Sequence, residues 1–202
     1  MNTTIAAIIL AAGKSTRMGT PKMLLPWGQS SVIETVVQHV IATELKPVVI
    51  VTGANQTSIE EKLTPFSERV QVIHNRQYAR LEMFFSIKLG IRQVAGHCHA
   101  AMLILGDQPH IAPQTVAGLI ALFNDQTASI VIPSYNMRRG HPILLHQRFF
   151  NEILDMPDDA SLKTFLANNE QEIQYLLIDD DSILEDMDSP EEYQQLKKKH
   201  HR

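Results

Sequence analysis

The fold is decided by one stretch near the N-terminus, Leu10-Ala11-Ala12-Gly13-Lys14-Ser15-Thr16-Arg17-Met18-Gly19-Thr20-Pro21-Lys22. It directly follows an apolar run, residues 5–10, that is typical of a buried strand. The small residues at 10–13 allow backbone N–H groups to turn toward a ligand, and Gly13 and Gly19 can adopt backbone angles that a Cβ would forbid. Because Lys14, Arg17 and Lys22 add positive charge, the sequence predicts a strand followed by a polyphosphate-binding loop.

This loop fits neither of two common nucleotide-binding motifs. Gly13-Lys14-Ser15 could end the P-loop pattern GxxxxGK[ST], but the first glycine of that pattern would fall on Ile8. The dinucleotide-binding pattern GxGxxG fails as well, since Ala11 and Ala12 do not provide the glycines that it needs. The loop is therefore a phosphate site of another type.

Length and composition limit the class of protein. A chain of 202 residues with 44% hydrophobic and 20% charged residues is typical of one soluble globular domain, here expected to span residues 1–202. The formal net charge of −4 argues against a nucleic-acid binder. A single cysteine, Cys98, and an N-terminus without a signal-peptide pattern favour a reducing compartment. We expect a cytoplasmic protein with a small-molecule partner and no membrane contact.

Apolar runs rich in β-branched residues alternate along the chain with segments of helical periodicity. The alternation predicts a mainly parallel sheet, and the continuous apolar character of the runs predicts helices on both faces. One helix is expected at Ser31–Thr43, with Ser30 or Ser31 as N-cap and Glu34 in a capping box, and another at Pro113–Phe123. The expected strands are Ile5–Ala11, Pro47–Thr52, Val70–His74, Ala100–Leu105, Ser129–Pro133 and Pro142–Leu145.

Ligands of such sheets bind beyond the carboxyl ends of the strands. The polar residues at those ends include the first loop, Thr52-Gly53, His74-Asn75 and Gly106-Asp107. Asp107 is expected at the same edge as the phosphate loop, where one or two carboxylates and phosphate oxygens suit Mg²⁺. Asp also frequently follows a strand as a turn residue, which leaves a structural role open at this position. The neighbouring loop favours the metal.

The first loop resembles the signature LAAGxSxRMGxxKxLLP of the nucleotidyltransferases of the molybdenum cofactor type, and Lys22-Met23-Leu24-Leu25-Pro26 completes it. The resemblance implies an α/β fold, a three-layer α/β/α sandwich around a mainly parallel, Rossmann-like sheet of the nucleotide-diphospho-sugar transferase type. It also implies an enzyme that transfers a nucleoside monophosphate from an NTP to a phosphorylated acceptor and releases pyrophosphate. Other segments that match in the expected order are Gly53, Gly106-Asp107-Gln108-Pro109, Arg139-Gly140-His141-Pro142 and Asp186-Met187-Asp188-Ser189-Pro190-Glu191-Glu192.

The last of these segments is similar to the DxDTPED ending of the family. The resemblance implies that Asp188 is the partner of Asp107 in binding Mg²⁺ and that Asp186 is a weaker candidate. The same residues form a complete helix-start signal, with Ser189 or Asp188 as cap and Pro190 in the first turn. The pattern by itself therefore needs no function.

The RGHP element is similar to that of the molybdenum cofactor cytidylyltransferases. The resemblance implies that Arg139, Gly140 and His141 belong to the substrate site and that Arg139 and His141 meet an anionic acceptor. A tight loop with solvated arginines is the alternative for this segment.

The segment from Asn75 to Gly90 departs from the family pattern NPxYxxGMxSSxxxG. Asn75, Tyr78, Met83, Ser86 and Gly90 match, but one residue is inserted, Glu82 stands where the glycine would be and Phe85 replaces the first serine. A carboxylate near a phosphate site repels the ligand, so Glu82 is expected to change affinity or substrate.

The family chemistry requires alignment of the reactants and neutralisation of charge on the α-phosphate and the leaving pyrophosphate. We assign the amides of residues 11–19 and Arg17 to the β- and γ-phosphates, and Lys22 to the α-phosphate. The expected catalytic residues are Arg17, Lys22 and Asp107. The expected binding residues are Leu10, Ala11, Ala12, Gly13, Lys14, Ser15, Arg17, Gly19, Lys22, Gly53, Asn75, Ser86, Gly106, Arg139, Gly140 and His141.

The resemblance implies CTP as donor and the molybdopterin cofactor as acceptor, with transient contact with a molybdoenzyme that receives the product. The choice of CTP depends on the RGHP element and on Ala12, because guanylyltransferase relatives have LAGG and so a glycine at this position. Two alternatives remain. One is transfer to a sugar phosphate or another small phosphorylated acid, and the other is a nucleotide-binding module with little turnover, suggested by Glu82 and Phe85.

Overall fold

The computed structural model describes residues 3–125 and 129–200. Its strands are β1 (Ile5–Ala11), β2 (Pro26–Trp27), β3 (Ser30–Ser31), β4 (Val48–Thr52), β5 (Val70–His74), β6 (Ala100–Leu105), β7 (Ile130–Tyr135), β8 (Arg138–Arg139), β9 (Ile143–His146) and β10 (Ile173–Leu177). Its helices are α1 (Val32–Ile41), α2 (Gln56–Leu63), α3 (Met83–Val94), α4 (Pro113–Asp125), α5 (Phe150–Asp155), α6 (Leu162–Asn168) and α7 (Pro190–His200).

One mixed sheet organises these elements, with the strand order β10-β7-β9-β6-β1-β4-β5 and the short β8 paired to β7. β1 lies between β6 and β4 and is parallel to both, and the β4–β5 and β7–β10 pairs are parallel too. β9 runs antiparallel between β6 and β7. Strand order reverses beside β1, which is where ligands bind in open α/β sheets.

Two apolar cores cover the two faces of the sheet. On one face, Ile9 and its alternate neighbours in β1 pack with residues of α1, α2 and α4. On the other face, Ile8 and its alternate neighbours pack with residues of α3, α5 and α6. β1 is buried along its whole length, as expected for a strand covered on both sides. The predicted three-layer α/β/α sandwich with a mainly parallel sheet is confirmed.

Most predicted elements occur within one or two residues of the expected bounds. Helix α1 begins with the predicted capping box, in which Ser31 and Glu34 exchange hydrogen bonds between side chain and backbone. The sequence prediction missed β10, an edge strand that pairs only with β7 and exposes Tyr175 and Leu177. Its residues Tyr175, Leu176 and Leu177 form only a short apolar run, which periodicity alone does not identify as a strand.

A third apolar cluster joins the first loop to the C-terminal segment. Met18 of the loop, Trp27 of the β2–β3 hairpin, Met187 and Tyr193 are buried together, and the Tyr193 hydroxyl donates to the carbonyl of Pro26 over 2.6 Å. Helix α7 starts as predicted, with Ser189 and Glu192 forming a reciprocal cap. This packing brings the residues before α7 to the first loop.

Among the described helices, none is long and apolar enough to cross a membrane.

Candidate active site

A cleft of about 540 Å³ opens at the carboxyl ends of β1, β5 and β6. Several of the predicted site residues line it: Leu10, Ala12, Gly13, Lys14, Lys22, Asn75, Ser86, Asp107 and Asp188. Other lining residues were not predicted for the site, namely Met23, Tyr78, Leu81, Met83 and Leu105, while Asp186 and Glu82 line it as well. The sheet edge therefore brings together segments that are far apart in the chain.

The first loop keeps its shape through contacts within it. The Ser15 hydroxyl accepts a hydrogen bond from the backbone N–H of Lys22 over 3.1 Å, and the N–H of Gly19 donates to the Ser15 carbonyl. Gly19 has the predicted left-handed backbone, with φ of 71°. Gly13 does not, and Ser15 adopts positive φ instead, at 52°. The expectation for Gly13 was therefore wrong, because the loop turns two residues later.

Lys22 is the centre of the charged groups in the cleft. Its ammonium forms salt bridges with both Asp107 and Asp188, and the Nζ–Oδ1 distance to Asp188 is 2.8 Å. The guanidinium of Arg17 pairs with the other oxygen of Asp188. The side chain of Lys22 is 11% exposed, whereas that of Arg17 is 75% exposed. A buried cation thus joins the two aspartates that sequence analysis selected as metal ligands.

These contacts set the protonation of the cluster. Burial lowers the pKa of Lys22, but the charges and hydrogen bonds of Asp107 and Asp188 outweigh it and leave the pKa above its ordinary value. Burial raises the pKa of Asp188, but Lys22 and Arg17 reverse this and lower it. For Asp186, burial and the nearby carboxylates of Asp188 and Asp107 raise the pKa. The ammonium and the Asp188 carboxylate are therefore both charged at neutral pH.

The carboxylates of the cleft suit a metal ion that binds together with a phosphate ligand. The described residues contain no group of three or more His, Cys, Asp or Glu placed to hold a metal ion. Mg²⁺ commonly takes one or two protein carboxylates and completes its shell with phosphate oxygens and water. Asp107 and Asp188, which converge on a single cation, fit this requirement. The metal assignment stays a prediction.

Another wall of the cleft is formed by the segment from Asn75 to Ser86. The Asn75 amide donates to the Ser86 hydroxyl over 2.9 Å, and its oxygen accepts from the N–H of Gln77. Both residues are buried. Lys14, an expected binding residue, donates to the carbonyl of Ala79 over 2.9 Å and ties the first loop to this wall.

Some predicted site residues shape the cleft without lining it. A Cβ at Gly53 would lie 2.6 Å from the Ala12 carbonyl and 2.7 Å from the Tyr78 Cβ, so only glycine fits there. The N–H of Gly106 donates to the carbonyl of Leu10. Tyr78 and Met83 could have been found from the sequence, because both match the family pattern. The other apolar lining residues that were not predicted, Met23, Leu81 and Leu105, have no distinct signal.

The RGHP element lies apart from the cleft lining. Arg139 forms an ion pair with Glu170 at 2.7 Å and donates to the Tyr175 hydroxyl, beside edge strand β10. A Cβ at Gly140 would lie 2.4 Å from the Ile183 carbonyl oxygen. Burial lowers the pKa of His141 to about 4, against the opposing effect of Asp107, so this side chain is neutral at neutral pH. Its Nε2 atom is buried without a hydrogen-bond partner.

These positions do not support a direct contact of Arg139 with an anionic acceptor, because its charge is already paired outside the cleft. A neutral His141 likewise offers no positive charge to such an acceptor. Both assignments from the sequence stay predictions, and for both the structure provides an alternative, structural role.

Comparison with known proteins gives relatives along nearly the whole chain. Molybdenum cofactor cytidylyltransferase of Escherichia coli K12 is 28% identical over 190 residues, which cover 94% of this chain and 93% of that protein. Nicotine blue oxidoreductase of Paenarthrobacter nicotinovorans is 26% identical over 206 residues, covering 95% and 96%. These two relatives, which are about equally similar to this chain, thus have names that denote different activities.

Solved structures support the same architecture. The crystal structure of Rv0371c from Mycobacterium tuberculosis matches with a TM-score of 0.84 at 23% identity, covering 98% of this chain and 100% of that one. The manganese complex of that protein matches with a TM-score of 0.79 at 22% identity, covering 97% and 99%. Residues 7–173 match the family model of the MobA-like NTP transferase domain, and the chain therefore belongs to this family of nucleotidyltransferases.

Proposed function

We propose that this protein catalyses the Mg²⁺-dependent transfer of a nucleoside monophosphate from CTP to the phosphate of a molybdopterin-type acceptor, with release of pyrophosphate. The observation that supports the proposal best is the meeting of Lys22, Asp107 and Asp188 beside the first loop. Two carboxylates and a buried ammonium at the carboxyl ends of parallel strands suit a metal-bound triphosphate.

The residues have different roles in an in-line displacement at the α-phosphorus. An oxygen of the acceptor phosphate attacks the α-phosphorus, the bond to the bridging oxygen breaks, and pyrophosphate leaves with that electron pair. The loop amides of residues 11–19 and Arg17 bind the β- and γ-phosphates, and Lys22 neutralises charge on the α-phosphate. Asp107 and Asp188 would hold Mg²⁺, which, when bound, neutralises the triphosphate and orients it. The acceptor phosphate is already an anion, so no general base is needed.

The donor is assigned to CTP because Ala12, a residue of the cleft lining, bears a methyl group where guanylyltransferase relatives have glycine. The E. coli relative, named a cytidylyltransferase, supports the same choice. A titration of CTP against GTP tests it directly. Equal affinities for the two nucleotides would remove the basis for CTP.

The acceptor assignment rests on the RGHP element and on that relative's name. A sugar phosphate or another small phosphorylated acid is the second candidate, since the geometry of Arg139 and His141 does not single out a pterin. A screen of acceptors with released pyrophosphate as readout separates the two. The product would pass to a molybdoenzyme in the cytoplasm through transient contact.

The experiment that tests the enzyme function is a thermal-shift panel of CTP, GTP, ATP and UTP with and without Mg²⁺, followed by a pyrophosphate-release assay. A ligand that binds the folded state raises its stability with the logarithm of ligand concentration over Kd. We expect a selective, Mg²⁺-dependent shift and the loss of pyrophosphate release in Asp107→Ala. A wild type that binds nucleotide without any turnover would favour the binding module instead, whereas an Asp107→Ala variant that keeps turnover would contradict the proposed role of Asp107.

A further inference from the structure

Glu82 departs from the family pattern at a position that faces the ligand. It is the last residue before α3 (Met83–Val94), it lines the cleft and it is exposed. Its carboxylate does not cap the helix and, among the described residues, forms no hydrogen bond or ion pair. The Glu82 carboxylate is therefore available to bind a ligand in the cleft.

Two other polar side chains of the same wall are already engaged. Asn75 and Ser86 are buried and bond to each other, and the oxygen of Asn75 also accepts from the N–H of Gln77. The Lys14 ammonium, at the junction with the first loop, donates to the carbonyl of Ala79. Among the described residues, no lysine, arginine or histidine forms a salt bridge with Glu82. The wall thus offers an incoming molecule a strong acceptor that the fold itself does not use.

The chemistry of a carboxylate limits what can face it. An ionised carboxylate accepts hydrogen bonds through two oxygens and donates none. It repels phosphate, whereas the ammonium of Lys22 in the same cleft attracts it, so the triphosphate is expected beside Lys22 and not beside Glu82. The uncharged donors of CTP, the proposed nucleotide, are the ribose hydroxyls and the exocyclic amine of cytosine.

Of these donors, the ribose diol matches a carboxylate best. Its two vicinal hydroxyls can each bond to one carboxylate oxygen, whereas a base amine presents both of its hydrogens on one nitrogen. Dinucleotide-binding folds use an acidic residue on the ribose hydroxyls for the same reason. The ribose also lies beside the phosphates, and the cleft is small enough for both ends of its lining to contact a single nucleotide.

We propose that Glu82 is a specificity-determining residue that binds the ribose hydroxyls and selects ribonucleoside over deoxyribonucleoside triphosphates. The inference rests on the proposed function, because it requires a nucleotide in this cleft. It gives a role to the residue that replaces the family's glycine. The carboxylate is tolerated near a polyanion because it faces the neutral part of that ligand.

The test measures the affinities of CTP, 2′-deoxy-CTP and 3′-deoxy-CTP with Mg²⁺ by calorimetry, with GTP and 2′-deoxy-GTP in parallel. The proteins are wild type, Glu82→Gln, Glu82→Ala and the control Glu61→Gln, an exposed glutamate of α2 outside the cleft. Wild type should prefer CTP over 2′-deoxy-CTP by about tenfold or more, as expected for a hydrogen bond to a charged group. The control should keep this ratio.

Glu82→Ala should reduce the ratio to about threefold or less by weakening the binding of CTP, while 2′-deoxy-CTP binds as well as before or better, because repulsion is relieved. Glu82→Gln retains one acceptor oxygen and should give an intermediate ratio. Circular dichroism and the unfolding midpoint verify that each variant is folded.

Two results overturn the inference alone: ribonucleotides bind but wild type does not discriminate against the deoxy forms, or Glu82→Ala retains the full ratio. Absence of binding by every nucleotide in the panel contradicts the proposed function, and the inference with it. The two failures are therefore distinguishable in one set of titrations.

Discussion

The Nζ atom of Lys22 lies 2.8 Å from Oδ1 of Asp188, although 166 residues separate the two in the chain. The same ammonium pairs with Asp107, so it takes the place of a cation between two carboxylates. In the proposed reaction Lys22 leaves these carboxylates for the α-phosphate. Nucleotide binding would then free Asp107 and Asp188 for the metal.

The first prediction concerns this exchange. Lys22→Met should lower the rate of pyrophosphate release by about a hundredfold or more, because charge on the α-phosphate loses its partner. The same variant should bind Mn²⁺ in the absence of nucleotide more tightly than wild type, since two neighbouring carboxylates lose their internal cation. Electron paramagnetic resonance of free Mn²⁺ measures the second effect. Lys163→Met, an exposed lysine of α6, is the control, and unchanged Mn²⁺ affinity in Lys22→Met would contradict the exchange.

The second prediction separates the carboxylates of the cleft. Asp107→Asn and Asp188→Asn should each lower kcat by about a hundredfold, because each removes a proposed ligand of the activating metal. Asp186→Asn makes the same substitution in an exposed residue of the same cleft, which forms no ion pair with Lys22, and should lower kcat by less than about fivefold. Steady-state pyrophosphate release with varied Mg²⁺ checks all three. An equal loss of kcat in Asp186→Asn would contradict the assignment of the metal site to Asp107 and Asp188.

The third prediction is a dependence of stability on pH from His141. Its folded pKa, about 4, is below the ordinary value of 6.5, so the unfolded chain takes up the proton first as pH falls. The stability contributed by the neutral side chain is therefore complete above pH 6.5 and decreases toward pH 4, by about 3 kcal/mol. Urea unfolding between pH 4 and 7 measures it.

The histidine prediction needs a matched control, because other histidines with lowered pKa titrate in the same range. His141→Gln should flatten the pH dependence, whereas His146→Gln, at a less buried histidine, should change it little. Parallel curves for wild type and His141→Gln would show that this side chain is not held neutral by burial.

The fourth prediction tests the close packing of Gly53 against the first loop. A Cβ there would collide with the Ala12 carbonyl and the Tyr78 Cβ, so Gly53→Ala should lower the free energy of unfolding by about 1–3 kcal/mol. It should weaken nucleotide binding too, since both contacts belong to residues that line the cleft. Gly13→Ala has no atom within 4 Å of the new Cβ and should change stability by less than about 0.5 kcal/mol. Chemical denaturation of both variants measures these changes. A similar loss of stability in both would show that the loop region is sensitive to any added side chain, and would contradict a specific packing requirement at Gly53.

Much of the fold could be predicted because local patterns encode it. β1, β5 and β6 have the predicted bounds, and the Ser31–Glu34 capping box is present as expected. The antiparallel direction of β9 could not be predicted, since a short apolar run does not specify its partner strand. The existence of β10 could not be predicted either, because a short apolar run also fits a buried helix segment. Element type depends on neighbours in sequence, whereas pairing depends on segments that are distant in sequence.

For the candidate site, the sequence by itself determined the chemistry available: a small-residue loop with cations after a buried strand, and aspartates at a strand end and before the last helix. Only the tertiary structure decided which of these groups meet. It joined Lys22 to both aspartates, paired Arg139 with Glu170, buried His141 in its neutral form and left Glu82 unpaired in the cleft. The physical reason is that distance and burial, which set the strength of charge interactions, arise from the packing of α7 and the loops on the sheet and not from adjacent residues.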